Sequence, residues 1–172
     1  MNYIFSAIFL YFFLGFLLYI FQRRIVFNKS GHPGAPKDYN LDNTEEVYIK
    51  TEDNLKLLSW YHKGNNSLPL IVYFHGNSFH IGDRAYRIQK YIEKNWSVLL
   101  VSWRGFGGNE GNPTEKNLYK DAEAVLKWIK NNTEFKFKEL VIYGESLGSG
   151  AAVEMGTKYE FLSIVLEAPF TS

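Results

Sequence analysis

The sequence predicts an α/β fold whose mostly parallel sheet is doubly wound, with helices on both faces, and which follows one transmembrane helix. Two observations support this prediction. Short apolar runs at 69–74 and 97–102 are typical of strands buried on both faces. They alternate with segments of helical periodicity, and this alternation is typical of parallel α/β sheets.

An uncharged apolar segment, residues 3–21, lies near the start of the chain. As a helix it would extend roughly 28 Å, which is close to the thickness of a bilayer core. A buried core helix would show a polar stripe, and a cleaved signal peptide would have a basic residue before a shorter apolar run. This segment shows neither feature. We therefore predict that residues 1–27 form a retained anchor and that the protein is a single-pass membrane protein.

Basic residues follow this segment at Arg23, Arg24 and Lys29. By the positive-inside tendency, the domain that follows faces the cytoplasm. Residues 28–40 are rich in Gly, Pro and Lys, which predicts a linker. Residues 41–172 then remain for the α/β domain.

The elements of this domain follow from local patterns. Two strand-like segments around a turn at 52–54 predict an antiparallel edge, and Thr114 has the side chain of a helix N-cap. Apolar residues at spacings of three and four mark the helices. The predicted strands are 46–51, 55–62, 69–74, 97–102, 140–143 and 162–167, and the predicted helices are 83–94, 114–130 and 147–158.

Composition excludes several classes of partner. The net charge of +1 gives no electrostatic reason to expect a nucleic acid. The absence of cysteine excludes disulfides, thiolate metal sites and a cysteine nucleophile. The glycine-rich stretch 104–111 has Glu110 where G-x-G-x-x-G requires its last glycine, and it lacks the Gly-Lys-Ser/Thr of a P-loop. We expect no cofactor and no metal.

Residues 144–148 read Gly-Glu-Ser-Leu-Gly, the pattern G-x-S-x-G, between a predicted strand and a predicted helix. In that context a sharp turn lifts the serine hydroxyl clear of the backbone, and the glycines remove side chains that would collide. The pattern therefore predicts Ser146 as a catalytic nucleophile. The alternative is a glycine-rich turn that only packs tightly.

An oxyanion hole needs two main-chain N–H donors beside the nucleophile. The N–H of Leu147, at the start of the helix, is the first expected donor. The second is that of Asn77, in the His-Gly-Asn loop after the strand at 69–74. His75 in this loop is more typical of a structural residue than of a base. A dyad of Ser146 with His75 or His80 is a further alternative.

Four motifs together resemble the α/β-hydrolase superfamily: HGN at 75–77, RGFGGNEGNPTE at 104–115, GESLG at 144–148 and LEAPFTS at 166–172. More narrowly, they resemble its membrane-anchored branch typified by abhydrolase domain-containing protein thirteen. The similarity extends over essentially the whole chain, in the family's order. It implies hydrolysis of an ester, thioester or amide through an acyl-enzyme on Ser146, with a small-molecule or lipid-like acyl substrate.

The resemblance also implies a triad acid and a histidine on later elements. All four histidines of this sequence precede Ser146, and a serine hydroxyl without a positioned base is a poor nucleophile. We therefore expect an α/β-hydrolase fold without its last strands and helices. Such a chain would be inactive or incomplete by itself, and a separate C-terminal fragment would complete it. The alternative is a non-catalytic truncated remnant or a membrane-tethered binding module.

Overall fold

The computed structural model describes residues 2–29 and 31–170 of the 172-residue chain. Residues 171 and 172, which end both the predicted domain and the LEAPFTS motif, lie outside the described residues, as do Met1 and Ser30. One described helix is long and apolar enough to cross a membrane. Its apolar span is Tyr3–Gln22, and none of that span is buried against the rest of the protein.

The described residues form four α-helices and eight strands, with short 3₁₀ helices between them. The helices are α1 (Asn2–Val26), α2 (Ala85–Ile92), α3 (Glu115–Asn132) and α4 (Leu147–Lys158). The strands are β1 (Asn28–Lys29), β2 (Thr44–Lys50), β3 (Lys56–His62), β4 (Leu70–Phe74), β5 (Ser78–Phe79), β6 (Ser97–Val101), β7 (Leu140–Glu145) and β8 (Ser163–Glu167). The 3₁₀ helices are Pro36–Tyr39, Ile81–Arg84 and Phe137–Glu139.

Six strands form one sheet in the order β2-β3-β6-β4-β7-β8. Strands β6, β4, β7 and β8 are parallel, whereas β3 pairs antiparallel with both β6 and β2. This mostly parallel sheet with an antiparallel edge confirms the predicted fold class. Because the chain leaves β4 first toward β6 and later returns on its other side as β7, the C-terminal end of β4 is a switch point, where ligand sites form in such sheets.

Helices cover both faces of the sheet. Along β4, Leu70, Val72 and Phe74 belong to the core shared with α3 and α4, whereas Ile71 and Tyr73 belong to the core shared with α2. All five side chains are buried. A strand buried on both faces is a continuous apolar run, and this is why its local pattern identified it.

Element boundaries lie within about two residues of the predictions. Thr114 caps α3 as predicted, since its Oγ1 accepts a hydrogen bond from the Asn117 N–H at 3.2 Å. Two differences affect the candidate site. The predicted helix 83–94 is a 3₁₀ turn followed by the shorter α2, and β7 continues to Glu145, so the strand reaches the residue before Ser146.

A small second sheet was not predicted. Strand β1 pairs in parallel with β5, in the register Asn28 with Ser78 and Lys29 with Phe79. Two-residue strands carry no periodic pattern by which a sequence could reveal them. The pairing places the segment just after α1 beside the loop that follows β4.

The division into anchor, linker and domain stays a prediction, but residues 31–40 are packed against the rest of the fold. Pro33 and Pro36 are buried. The Tyr39 ring lies 5.3 Å from that of Trp60, and its hydroxyl donates a hydrogen bond to the Pro33 carbonyl at 2.6 Å. This part of the predicted linker is therefore held by specific contacts.

A buried ion pair fixes the glycine-rich turn after β6. The guanidinium of Arg104 donates to Asp121 Oδ1 at 2.7 and 2.9 Å, and it also contacts Asp53. The side chains of Arg104 and Asp121 are 2% and 0% exposed. A pair so deeply buried is costly to break because the remaining charge stays out of water.

We expect Asp121→Ala to lower the free energy of unfolding by about 3–5 kcal/mol, because it leaves Arg104 buried with only Asp53 as a partner. Urea titration followed by circular dichroism measures this change. Lys138→Ala is the matched control. It removes an ion pair with Glu160 whose side chains are 71% and 77% exposed, and it should cost less than about 1 kcal/mol. Equal losses of unfolding free energy in the two variants would contradict the conclusion that the buried Arg104–Asp121 pair stabilises the fold more than an exposed pair does.

Candidate active site

Ser146 lies at an abrupt turn between β7 and α4, here called the elbow (residues 144–148). Its φ and ψ are 47° and −109°. A positive φ is strained for a residue with a Cβ, and such strain persists only where the surroundings impose it. The side chain is partly exposed. The serine predicted from the motif therefore lies at a sharp strand-to-helix reversal.

The two glycines of the elbow allow this reversal because the backbone approaches its neighbours closely. A Cβ on Gly144 would lie 2.7 Å from the Gly148 carbonyl oxygen and from Ser149 Cα. A Cβ on Gly148 would collide with the carbonyl of Phe74, the last residue of β4. The start of α4 thus rests directly on the central strand.

The two predicted oxyanion-hole residues belong to the elbow and to the loop after β4. Leu147 is the first residue of α4, where backbone N–H groups have no partner within the helix. Asn77 follows Gly76, and a Cβ on Gly76 would lie 3.5 Å from Ser146 Cβ. The loop after β4 therefore touches the elbow, while the donor roles of Asn77 and Leu147 stay predictions.

An ion pair that the sequence analysis missed ties this loop to the elbow. Arg84 donates to both carboxylate oxygens of Glu145, at 2.8 and 3.1 Å, and to the Ser78 carbonyl at 2.7 Å. Tyr73 adds a hydrogen bond to Glu145 at 3.0 Å. Burial alone would raise the pKa of Glu145, but the hydrogen bonds and the charge of Arg84 outweigh it and lower that pKa.

The same arrangement recurs one strand further along the sheet. Tyr143 donates to Glu167 at 2.8 Å, and Arg87 forms an ion pair with the same carboxylate. The rings of Tyr73 and Tyr143 are stacked, with centroids 4.7 Å apart. The available sequence signals were a tyrosine near the end of β4 and of β7, a glutamate at the end of β7 and of β8, and two arginines spaced by three.

His75 has a structural position. It is fully buried, its Nδ1 lies 2.6 Å from the Gly76 carbonyl oxygen, and its Nε2 accepts the Trp103 N–H at 3.4 Å. The Trp103 indole in turn donates to the His75 carbonyl at 2.9 Å. Burial lowers the pKa of His75 to about 4. The ring is therefore neutral near pH 7 and links the loop after β4 to the turn after β6.

Neither histidine of the proposed dyads reaches Ser146 by a hydrogen bond within the described residues. Both ring nitrogens of His75 are engaged elsewhere. Nδ1 of His80 lies 2.9 Å from Asp83 Oδ2, without hydrogen-bond alignment. The described residues also contain no cluster of three His, Asp or Glu side chains suited to a metal ion.

Comparison with known proteins places this geometry in context. A family model described as Hydrolase_4, serine aminopeptidase, S33, matches residues 66–172. Protein Rv2307c of Mycobacterium tuberculosis is 32% identical over 165 residues, covering 92% of this chain and 58% of that protein. Protein bem46 of Schizosaccharomyces pombe is 29% identical over 171 residues, covering 92% and 56%. Lysophosphatidylserine lipase ABHD12 of Danio rerio is 28% identical over 165 residues, covering 80% and 42%.

Solved structures match in the same way. The esterase Pf2001 of Pyrococcus furiosus has a TM-score of 0.69 at 28% identity, with 83% of this chain and 58% of that chain covered. The chain spans about half the length of the curated relatives that it matches. Membership of the narrower, membrane-anchored branch of the α/β-hydrolase superfamily stays a prediction.

The buried His75 should make stability depend on pH. In the unfolded chain its pKa is near 6.5, and in the folded state it is about 4. The stability that comes from the neutral, buried ring is therefore fully present above pH 6.5 and is lost as the pH falls toward 4. By pH 4 the loss amounts to about 3 kcal/mol of unfolding free energy. Denaturant titrations at several pH values measure this slope.

The variant His75→Gln cannot titrate, so its unfolding free energy should change less between pH 6.5 and 4 than that of the wild type. His62→Gln is a parallel variant, since burial also lowers the pKa of His62. This variant measures how much of the pH dependence of the unfolding free energy comes from His62. Identical slopes in the wild type and His75→Gln would show that His75 is not buried in its neutral form.

Proposed function

The chain belongs to the α/β-hydrolase superfamily, and on that premise we propose that it carries the nucleophile of a membrane-anchored serine hydrolase. The reaction is hydrolysis of an ester, thioester or amide bond. The observation that supports this most directly is the strained φ of Ser146 at a turn between a parallel strand and a helix. In this fold such a turn presents the hydroxyl at the C-terminal edge of the sheet.

Each residue has a defined chemical role in this proposal. The Ser146 hydroxyl attacks the acyl carbonyl while a base removes its proton, and the N–H groups of Leu147 and Asn77 stabilise the oxyanion that forms. The proton passes to the departing alcohol, thiol or amine. Water then attacks the acyl-serine and releases the acid.

The base and its orienting acid come, in our proposal, from polypeptide that adds to the sheet beside β8, on the same chain or on a second one. Two facts support this. The matched relatives are longer than this chain. Strand β8 is the edge strand of the described sheet, and Ile164, Val165 and Leu166 in it are partly exposed, as apolar residues of an edge strand are.

Membrane anchoring through α1 and a lipid-like acyl substrate belong to the same proposal. The span Tyr3–Gln22 has the length and hydropathy for a bilayer, and the basic residues after it support a cytoplasmic hydrolase domain. A zebrafish relative carries the name lysophosphatidylserine lipase. This name makes lipid-like esters the first substrates to test.

A fluorophosphonate probe tests the nucleophile. We expect it to label Ser146 slowly in the 172-residue chain, because no described base activates the hydroxyl. Labelling should accelerate by about 100-fold or more when the C-terminal half of a longer relative is supplied, since a triad base contributes far more than that to turnover. Intact-mass and peptide mass spectrometry give the rate and the labelled residue.

Ser146→Ala should abolish labelling, whereas Ser67→Ala, which changes an exposed serine, should leave it unchanged. Labelling that persists in Ser146→Ala would refute the assignment of the nucleophile. A chain that stays unlabelled even with the completing polypeptide would favour the other candidate, a membrane-tethered binding module.

A further inference from the structure

The proposed membrane anchor leads directly into a short strand that pairs with the loop beside the candidate nucleophile. The apolar span ends at Gln22, α1 continues to Val26, and β1 begins two residues later at Asn28. Strand β1 then pairs with β5, residues 78 and 79, which immediately follow Asn77. The only residue between helix and strand is Phe27.

Packing holds this junction against the domain. The Phe27 side chain is partly buried against the main core, and its ring lies edge-on to that of Phe106 at 6.3 Å. On the other side of the pairing, Arg84 donates to the Ser78 carbonyl and to Glu145. Continuous contacts therefore join the end of α1 to the elbow.

The distance along the chain from the end of the apolar span to the start of β1 is short. From Gln22 to Asn28 the chain advances six residues, which is roughly 9 Å at the rise of a helix. The polar layer on each side of a bilayer core is of similar thickness, roughly 5–8 Å. If Tyr3–Gln22 spans the core, β5 lies at the outer edge of the lipid headgroup layer, within reach of a side chain.

Phe79 is an unusual residue for a loop that faces water. Its side chain is 53% exposed, and its φ is +63°. Aromatic residues with a positive φ are uncommon because the conformation is strained. An exposed phenylalanine is, however, typical of surfaces that bury their apolar side chains at the boundary between lipid headgroups and acyl chains. In the sequence, the basic residues Arg23, Arg24 and Lys29 follow the apolar span, and juxtamembrane basic residues favour anionic lipid headgroups.

We propose that the β1–β5 pairing holds the loop after β4 on the bilayer surface and that Phe79 inserts into the headgroup layer. This inference rests on the membrane anchoring in the proposed function. Its consequence is that the candidate nucleophile opens toward lipid rather than toward bulk solvent. An acyl chain from the bilayer would then reach Ser146 without crossing water.

Depth-dependent quenching tests the proposal on the full chain, which contains no natural cysteine to remove. Phe79→Cys and Lys138→Cys are each labelled with bimane and reconstituted into phosphatidylcholine vesicles containing anionic phosphatidylglycerol and headgroup-level spin-labelled lipid. Lys138 is the matched control, since it is highly exposed and precedes the opposite end of β7, roughly 20 Å from the elbow. We expect quenching at 79 to exceed that at 138 by about threefold or more, because only the former reaches the headgroup layer.

A second variant tests whether the junction is responsible. A Gly/Ser insert of about ten residues between Val26 and Phe27 adds a flexible span of roughly 17 Å. Quenching at 79 should then fall to the level at 138. Undiminished quenching would show that the junction does not position the loop and would overturn the proposal.

Vesicle flotation separates this inference from the proposed function. A chain that floats but is quenched equally at 79 and 138 overturns the placement of the loop and leaves the anchoring intact. A chain that does not float refutes the anchoring and the inference together. Reactivity of Ser146 toward fluorophosphonate is scored independently of both.

Discussion

The close contact between the elbow and β4 is the constraint on which the candidate site depends. The backbone of Gly148 lies against the carbonyl of Phe74, with no room for a side chain. β4 is flanked by β6 and β7, so the start of α4 is fixed relative to the sheet. Ala151, Ala152 and Met155 of α4 are fully buried in the same core. Tertiary packing of this kind can maintain a positive φ at Ser146.

The opposite face of the sheet supplies a polar counterpart to this apolar contact. Glu145 and Glu167 are register partners at the ends of β7 and β8, and two adjacent carboxylates would repel each other. Each is instead satisfied by one tyrosine from the preceding strand of the sheet and by one arginine from the α2 region. Removing a single member would therefore leave a partly buried charge without its partner.

The sequence predicted those parts of the fold that local patterns determine. The continuous apolar run of β4, the N-cap at Thr114 and the G-x-S-x-G turn each contain their own evidence within a few residues. The Arg84–Glu145 pair does not, because its members are 61 residues apart in the chain. The β1–β5 pairing is equally hidden, since two residues per strand have no periodicity. Long-range contacts of this kind position the predicted site residues, and only coordinates reveal them.

A backbone hydrogen bond connects Ser146, the candidate nucleophile, to the outer strand β8. The N–H of Ser146 donates to the Glu167 carbonyl, at the end of β8, at 2.9 Å. The apolar residues of β8 are 38% exposed and the nearby Phe170 is 59% exposed, which is unfavourable for a strand facing water. An element that pairs with β8 would therefore bury apolar surface and stiffen a strand one hydrogen bond from Ser146. Pairing of such an element with β8 and ordering of the elbow would thus be coupled by the same backbone contact.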